Sequence, residues 1–221
     1  MEAAGHRLRA PRAAAIAGIL FSVLLLTSFA LLRSAVPNDP LEAGAWLRTH
    51  GRSVALALNL VPYAGVAFLW FIGVLRDRLG AREDKFFATV FLGSGLLFLA
   101  MLFLSASVLG GIILAFTAVP GTIDTATFTI TRAISWEIMN LYAIRMAGVF
   151  MMSTATLALR TEFIGRPIAL LGFPLALLLL LADRAMSAAL VVFPLWVLLI
   201  SVHVLVRNLL ERADETGGAA A

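Results

Sequence analysis

Two ionisable side chains, Glu137 and Arg145, interrupt the apolar stretch "WEIMNLYAIRMAGVF" (136–150). A guanidinium held in hydrocarbon costs ~2.5 kcal/mol or more, so it faces protein or water rather than lipid tails. The chemistry it offers is a planar, permanently charged fork that grips carboxylate or phosphate. Glu137 is the obvious partner, but eight residues of helix separate the two by about 12 Å of rise and about 80° of rotation. Side chains also lean toward the helix N-terminus, which carries Glu137 away from Arg145. Arg145 therefore needs a partner on another helix, or water.

The polar groups expected at its depth are Thr27, Ser28, Asn59, Ser105, Ser107, Glu137 and Asn140. Asn59 lies three residues before Pro62, whose missing N–H leaves the carbonyl of Leu58 without its helical donor. A bend at Pro62 would present that carbonyl and Asn59 to the fourth helix. Two readings follow. In one, Arg145, Asn59, Glu137, Asn140, Tyr142 and Tyr63 line an outward-facing polar pocket for an anionic solute or lipid head. In the other, Arg145 only locks the second and fourth helices together.

Other chemistries are excluded by inventory. Cysteine is absent, which removes thiol catalysis, disulfides and cysteine-ligated clusters. The single lysine, Lys85, falls in a loop, so no in-helix lysine is available for a Schiff base. His50 and His203 fall near opposite ends of the bundle, too far apart to share one haem iron. "LGSG" (92–95) and His203 invite comparison with a rhomboid-type serine protease. Leu92 stands where that motif needs glycine, and "HVLVRN" lacks the glycines expected after the histidine. No phosphate-cradling loop or H-E-x-x-H zinc motif occurs. The expectation is a non-enzyme without cofactor or metal.

The elements that position these residues follow from composition. Of 221 residues, 61% are hydrophobic and 14% charged, well outside the range of a soluble domain. Six apolar blocks (13–32, 54–75, 86–108, 134–159, 167–182 and 185–206) predict one all-α, polytopic transmembrane bundle of six crossings spanning 1–221. The fifth block is short and carries Pro174, so a re-entrant hairpin with the sixth would reduce the count to five. The first block follows "GHRLRAPR" but is longer than a signal-peptide core, and no A-x-A site follows it, which favours an uncleaved crossing.

Lysine and arginine bias sets direction. Both termini inside places Arg7, Arg9, Arg12, Arg76, Arg78, Arg82, Lys85, Arg160, Arg166, Arg207 and Arg212 in the cytoplasm. Arg33, Arg48, Arg52, Arg132 and Arg184 then lie outside, eleven against five. The formal charge of +4 flanks the apolar blocks, so it indicates topology and contact with anionic lipid heads, not nucleic acid. Sixteen arginines to one lysine, with abundant alanine and leucine, indicate GC-rich bacterial coding and a bacterial cytoplasmic membrane.

Two outer connections are substantial. Residues 33–53 predict a turn followed by a short interfacial helix with Trp46 at headgroup depth. In 117–135, Thr125, Thr127, Thr129 and Thr131 alternate with apolar residues, a period of two that predicts an extended segment, either a plain loop or a flap over the outer mouth. The echo of Asp77-Arg78 in Asp183-Arg184 is too short to establish an inverted repeat.

"FLWFIGVLRDRLGAREDKFFATVFLGSGLLFLAML" (about 69–102) resembles a stretch of small multi-pass membrane proteins of actinobacteria that have no assigned activity. The resemblance implies the class and topology and brings no ligand or site residue. The functional expectation is a small permease or channel-like protein around Arg145. The alternatives are an accessory or assembly subunit with a membrane-protein partner or further copies of itself, and, last, an intramembrane hydrolase.

Overall fold

The computed structural model describes residues 10–37, 46–79, 85–118, 124–161, 164–181 and 189–218, and these are helical apart from short turns. The helices are α1 (Ala10–Ala35), α2 (Leu47–Leu79), α3 (Lys85–Ala118), α4 (Thr125–Thr161), α5 (Arg166–Leu181) and α6 (Ala189–Gly218). All but α5 contain a stretch long and apolar enough to cross a membrane. The 16 residues of α5 rise about 24 Å, short of the ~30 Å hydrocarbon core. The link 182–188, which contains Asp183 and Arg184, lies outside the described residues.

One expectation about the connections is overturned. Trp46 directly precedes α2, which starts at Leu47 and continues without a break to Leu79, and the rest of the expected interfacial segment, residues 38–45, lies outside the described residues. The threonine-rich segment is not extended, because α4 begins at Thr125. Asp124 makes it so. Its backbone is extended (φ −73°, ψ 161°), and its carboxylate accepts the Thr127 N–H at 3.0 Å, an N-cap. Hydrogen bonding from Thr127, side chain first, holds that carboxyl below its ordinary pKa. The threonine alternation conceals a second pattern in the same residues. Phe128, Arg132 and Ser135 recur at spacings of four and three, and all three are buried.

Inside α4 the ladder widens into a six-residue π-helix, Ile138–Ala143, where the N–H of Ile144 reaches the carbonyl of Met139 five residues back. Below it, α5 folds back along α4 through glycine contacts. A Cβ on Gly148 would lie 3.1 Å from the Ala176 carbonyl, and one on Gly172 would lie 3.0 Å from the Ala155 Cβ. Small residues let the two backbones approach, which is how helices associate where lipid removes the hydrophobic drive.

The centre of the bundle is aromatic. Phe21 of α1, Phe68 and Phe71 of α2, Phe91 and Phe98 of α3, Phe150 of α4 and Phe193 of α6 are all buried. Their rings form a connected set, with centroids 4.6 Å apart for Phe21–Phe68, 4.7 Å for Phe98–Phe193 and 4.8 Å for Phe91–Phe150. Most neighbouring rings meet tilted or edge-on, the arrangement that their quadrupoles favour. A second, smaller apolar cluster closes the end of the bundle where α1 ends and α2 begins, around Trp46, Val54, Ile112 and Phe128.

Candidate functional site

Arg145 follows the π-helix by two residues and is half-buried. Its guanidinium donates to the carbonyl of Leu141, one turn back on its own helix, at 3.1 Å. Asn140 is buried, and its amide donates to the carbonyl of Trp136 at 2.9 Å. Both side chains therefore bond carbonyls in or beside the widened turn. Glu137 is half-buried at the start of that turn, and Tyr142 is 56% exposed.

The other two predicted residues are elsewhere. Asn59, Pro62 and Tyr63 lie on the outward face of α2, with Tyr63 68% exposed. The expected meeting of Asn59 with the fourth helix does not occur. The reason is the period of α2: Val54, Ala57, Val61, Ala64 and Phe68 take the buried face, which leaves residues 59, 62 and 63 on the opposite one. The residues named from the sequence thus separate into an α4 group and an α2 group that face different surroundings.

Three of the remaining polar groups join helices in pairs. Ser28 of α1 donates to the Ala57 carbonyl of α2 at 2.8 Å. Ser105 of α3 and Ser135 of α4 are reciprocal: each hydroxyl donates to the other's carbonyl at 2.8 Å, and the hydroxyl oxygens lie 3.1 Å apart. Thr27 and Ser107 are exposed. Toward the opposite end, Ser94, Ser153, Thr154 and Thr156 bond back to carbonyls of their own helices. His203 accepts the Gly165 N–H through Nε2 at 3.4 Å, holding the α4–α5 link against α6. Ser94 and His203 are thus engaged separately rather than with each other.

The sequence reading missed Arg132 as a packed side chain, counting it as an outer topology charge. In the structure it is 4% exposed, its guanidinium donates to the carbonyl of Pro37, and it lies 5.4 Å from the centre of the Trp46 ring. One cation thereby ties the end of α1, the start of α2 and the first arm of α4. The four-and-three spacing of Phe128, Arg132 and Ser135 was the available signal.

A crevice among Leu25, Phe29, Phe98, Met139, Ile144 and Phe193 leaves about 10 Å³ for the centre of a water-sized molecule, and its walls are apolar. That is room for about one water, without the polar partners that a buried water needs. Among the described residues, no group of three or more histidine, aspartate or glutamate side chains is placed to hold a metal ion. No family model, curated protein or solved structure matches this chain.

Proposed function

We propose that this chain is a non-enzymatic integral membrane protein that works through its lateral faces, as an accessory or assembly subunit in a bacterial cytoplasmic membrane. The supporting observation is the aromatic interior. Seven phenylalanines occupy the axis where a solute path would run, and Arg145 bonds its own helix. The topology belonging to this reading has six crossings with both termini cytoplasmic. It counts α5 as a short, Pro174-containing crossing and follows the Lys/Arg bias. The likeness of residues 69–102 to small actinobacterial membrane proteins supports the same class.

A permease keeps one observation on its side. π-Helical turns recur at functional sites, and this one lies mid-helix beside Arg145 and Glu137. Arg145→Met separates the two readings. Met fills similar volume without a charge to bury. In the accessory reading the variant reaches wild-type membrane level and complements any deletion phenotype fully. Full-level protein without complementation, partly restored by Arg145→Lys, moves the assignment to a permease with an anion-recognising arginine. Affinity purification in mild detergent followed by mass spectrometry adds the direct readout. A stoichiometric membrane-protein partner supports the accessory role, and a specific small ligand without one refutes it.

A further inference from the structure

The outward face of α2 differs from the other exposed faces. Along α1 that face reads Ile16, Leu20, Val23 and Thr27, and along α6 it reads Leu195, Leu199, Val202 and Val206, side chains suited to lipid apart from one hydroxyl. On α2 it reads Leu56, Asn59, Tyr63, Val66, Trp70 and Gly73, all exposed. The steps between them are three, four, three, four and three residues, the 3.5-residue repeat of a two-helix seam. Trp70 and Tyr63 are 69% and 68% exposed, so the bundle covers little of either, and a Cβ added at Gly73 would meet nothing within 4 Å.

Asn59 decides what this seam is for. It lies three to four residues from the centre of the Thr49–Arg76 span, about 5 Å along the helix axis. Asn140 and Asn208 each donate to a carbonyl four residues back. The Asn59 amide makes no hydrogen bond among the described residues. Pro62, on the same face one turn later, removes the donor that would have met the Leu58 carbonyl. Hydrocarbon supplies no donor or acceptor, so polar groups at this depth call for another protein surface.

We propose that this seam is the interface between two copies of the chain, with the Asn59 amides paired across it. Copies inserted in the same direction are related by a twofold axis along the membrane normal, so their α2 helices run parallel and Asn59 meets Asn59 at one depth. An amide carries both donor and acceptor, so the pair satisfies itself without any second residue type. One asparagine within an otherwise apolar heptad seam fixes register and a two-stranded state. A crossing angle of about 20° then carries the contact along the seam past Val66 and Trp70 to Gly73. The inference holds whether or not the bundle conducts a solute.

The native absence of cysteine gives the test. Leu56→Cys, Val66→Cys and Gly73→Cys, made singly and oxidised in native membranes, should give disulfide-linked dimers. Val23→Cys on α1 and Leu199→Cys on α6, equally exposed, should stay monomeric, because the bond needs Cα atoms within about 7 Å. Asn59→Leu changes only an outward side chain, so the monomer folds. Its dimer dissociation constant in mild detergent should rise by about 3- to 30-fold, whereas Asn59→Gln retains most of the affinity. The proposal is overturned if the seam positions fail to cross-link, if the controls cross-link equally, or if Asn59→Leu leaves the constant unchanged. A different membrane protein cross-linking to Val66→Cys in place of a second copy would also overturn it.

Discussion

Arg132 gives the sharpest test of how the Trp46 end of the bundle is held. Arg132→Met removes a charge-assisted hydrogen bond to the Pro37 carbonyl, worth about 1.5–3 kcal/mol. It also removes the contact over the Trp46 ring at 5.4 Å, worth about 1–2 kcal/mol when desolvated. The methionine refills part of the volume, so the expected cost is about 3 kcal/mol, with 5 kcal/mol as an upper bound of roughly the size seen on breaking buried pairs. Trp46→Leu alone loses the ring contact and part of the second apolar cluster. In a double-mutant cycle with Arg132→Met, the coupling between the two should be about 1–2 kcal/mol. The assay is reversible unfolding in mixed dodecyl sulfate and mild-detergent micelles, followed by helical circular dichroism so that loss of Trp46 does not alter the signal. A coupling indistinguishable from zero would show that the cation and the ring do not stabilise each other. An Arg132→Met cost below about 1 kcal/mol would show that the residue is a surface topology charge after all.

Ser105→Ala and Ser135→Ala should be strongly non-additive, with a coupling of about 0.6–1.7 kcal/mol in the same assay, because each hydroxyl serves the other's helix; additive effects would refute the reciprocal pair. Gly18→Ala should destabilise by about 1–3 kcal/mol, since its Cβ would collide with Ser201 Oγ and lie 2.9 Å from Phe71 Cδ2. Adding Ser201→Ala should restore part of that loss but not all, and no restoration would place the conflict elsewhere. Cysteines introduced singly at Ala81 and Thr216 should resist a membrane-impermeant thiol reagent in intact cells while one at Ala43 reacts; labelling at Ala81 before lysis would reverse the orientation.

Much of the helix inventory was legible because lipid-spanning length is a one-dimensional property. An apolar run of about 20 residues has few other uses, and the blocks at 13–32, 54–75, 86–108 and 134–159, with the described part of 185–206, fall within long helices. The ends were less legible, because α2, α4 and α6 continue past their apolar blocks into polar sequence and α3 runs ten residues beyond its block, through Gly110 and Gly111 to Ala118. The threonine segment misled for a definite reason. Alternation over a few residues is compatible with either period, and the N-cap Asp124 together with the packing of Phe128 decided for the helix. Arg145 was recognised as a residue needing a partner. That a π-turn would supply it from its own helix could not be read, since π-helices have no reliable sequence signature and arise where tertiary contacts hold the chain in register.

The sequence by itself determined the membrane-spanning length of its helices, their approximate place and, through the absence of cysteine, the thiol chemistry it lacks. Those depend on which residue types are present and on the lengths of runs. Tertiary structure decided which face of each helix looks inward. Asn59 and Tyr63 turned outward because Val54, Ala57, Val61 and Phe68 took the interior. Arg132 turned inward because Trp46 and the Pro37 carbonyl lay within its reach. In hydrocarbon both faces of a helix are apolar, so the amphipathic contrast that reveals the buried side of a soluble helix is missing. Side-chain shape, small-residue contacts and a few hydrogen bonds choose the face instead, and they do so only when the helices meet.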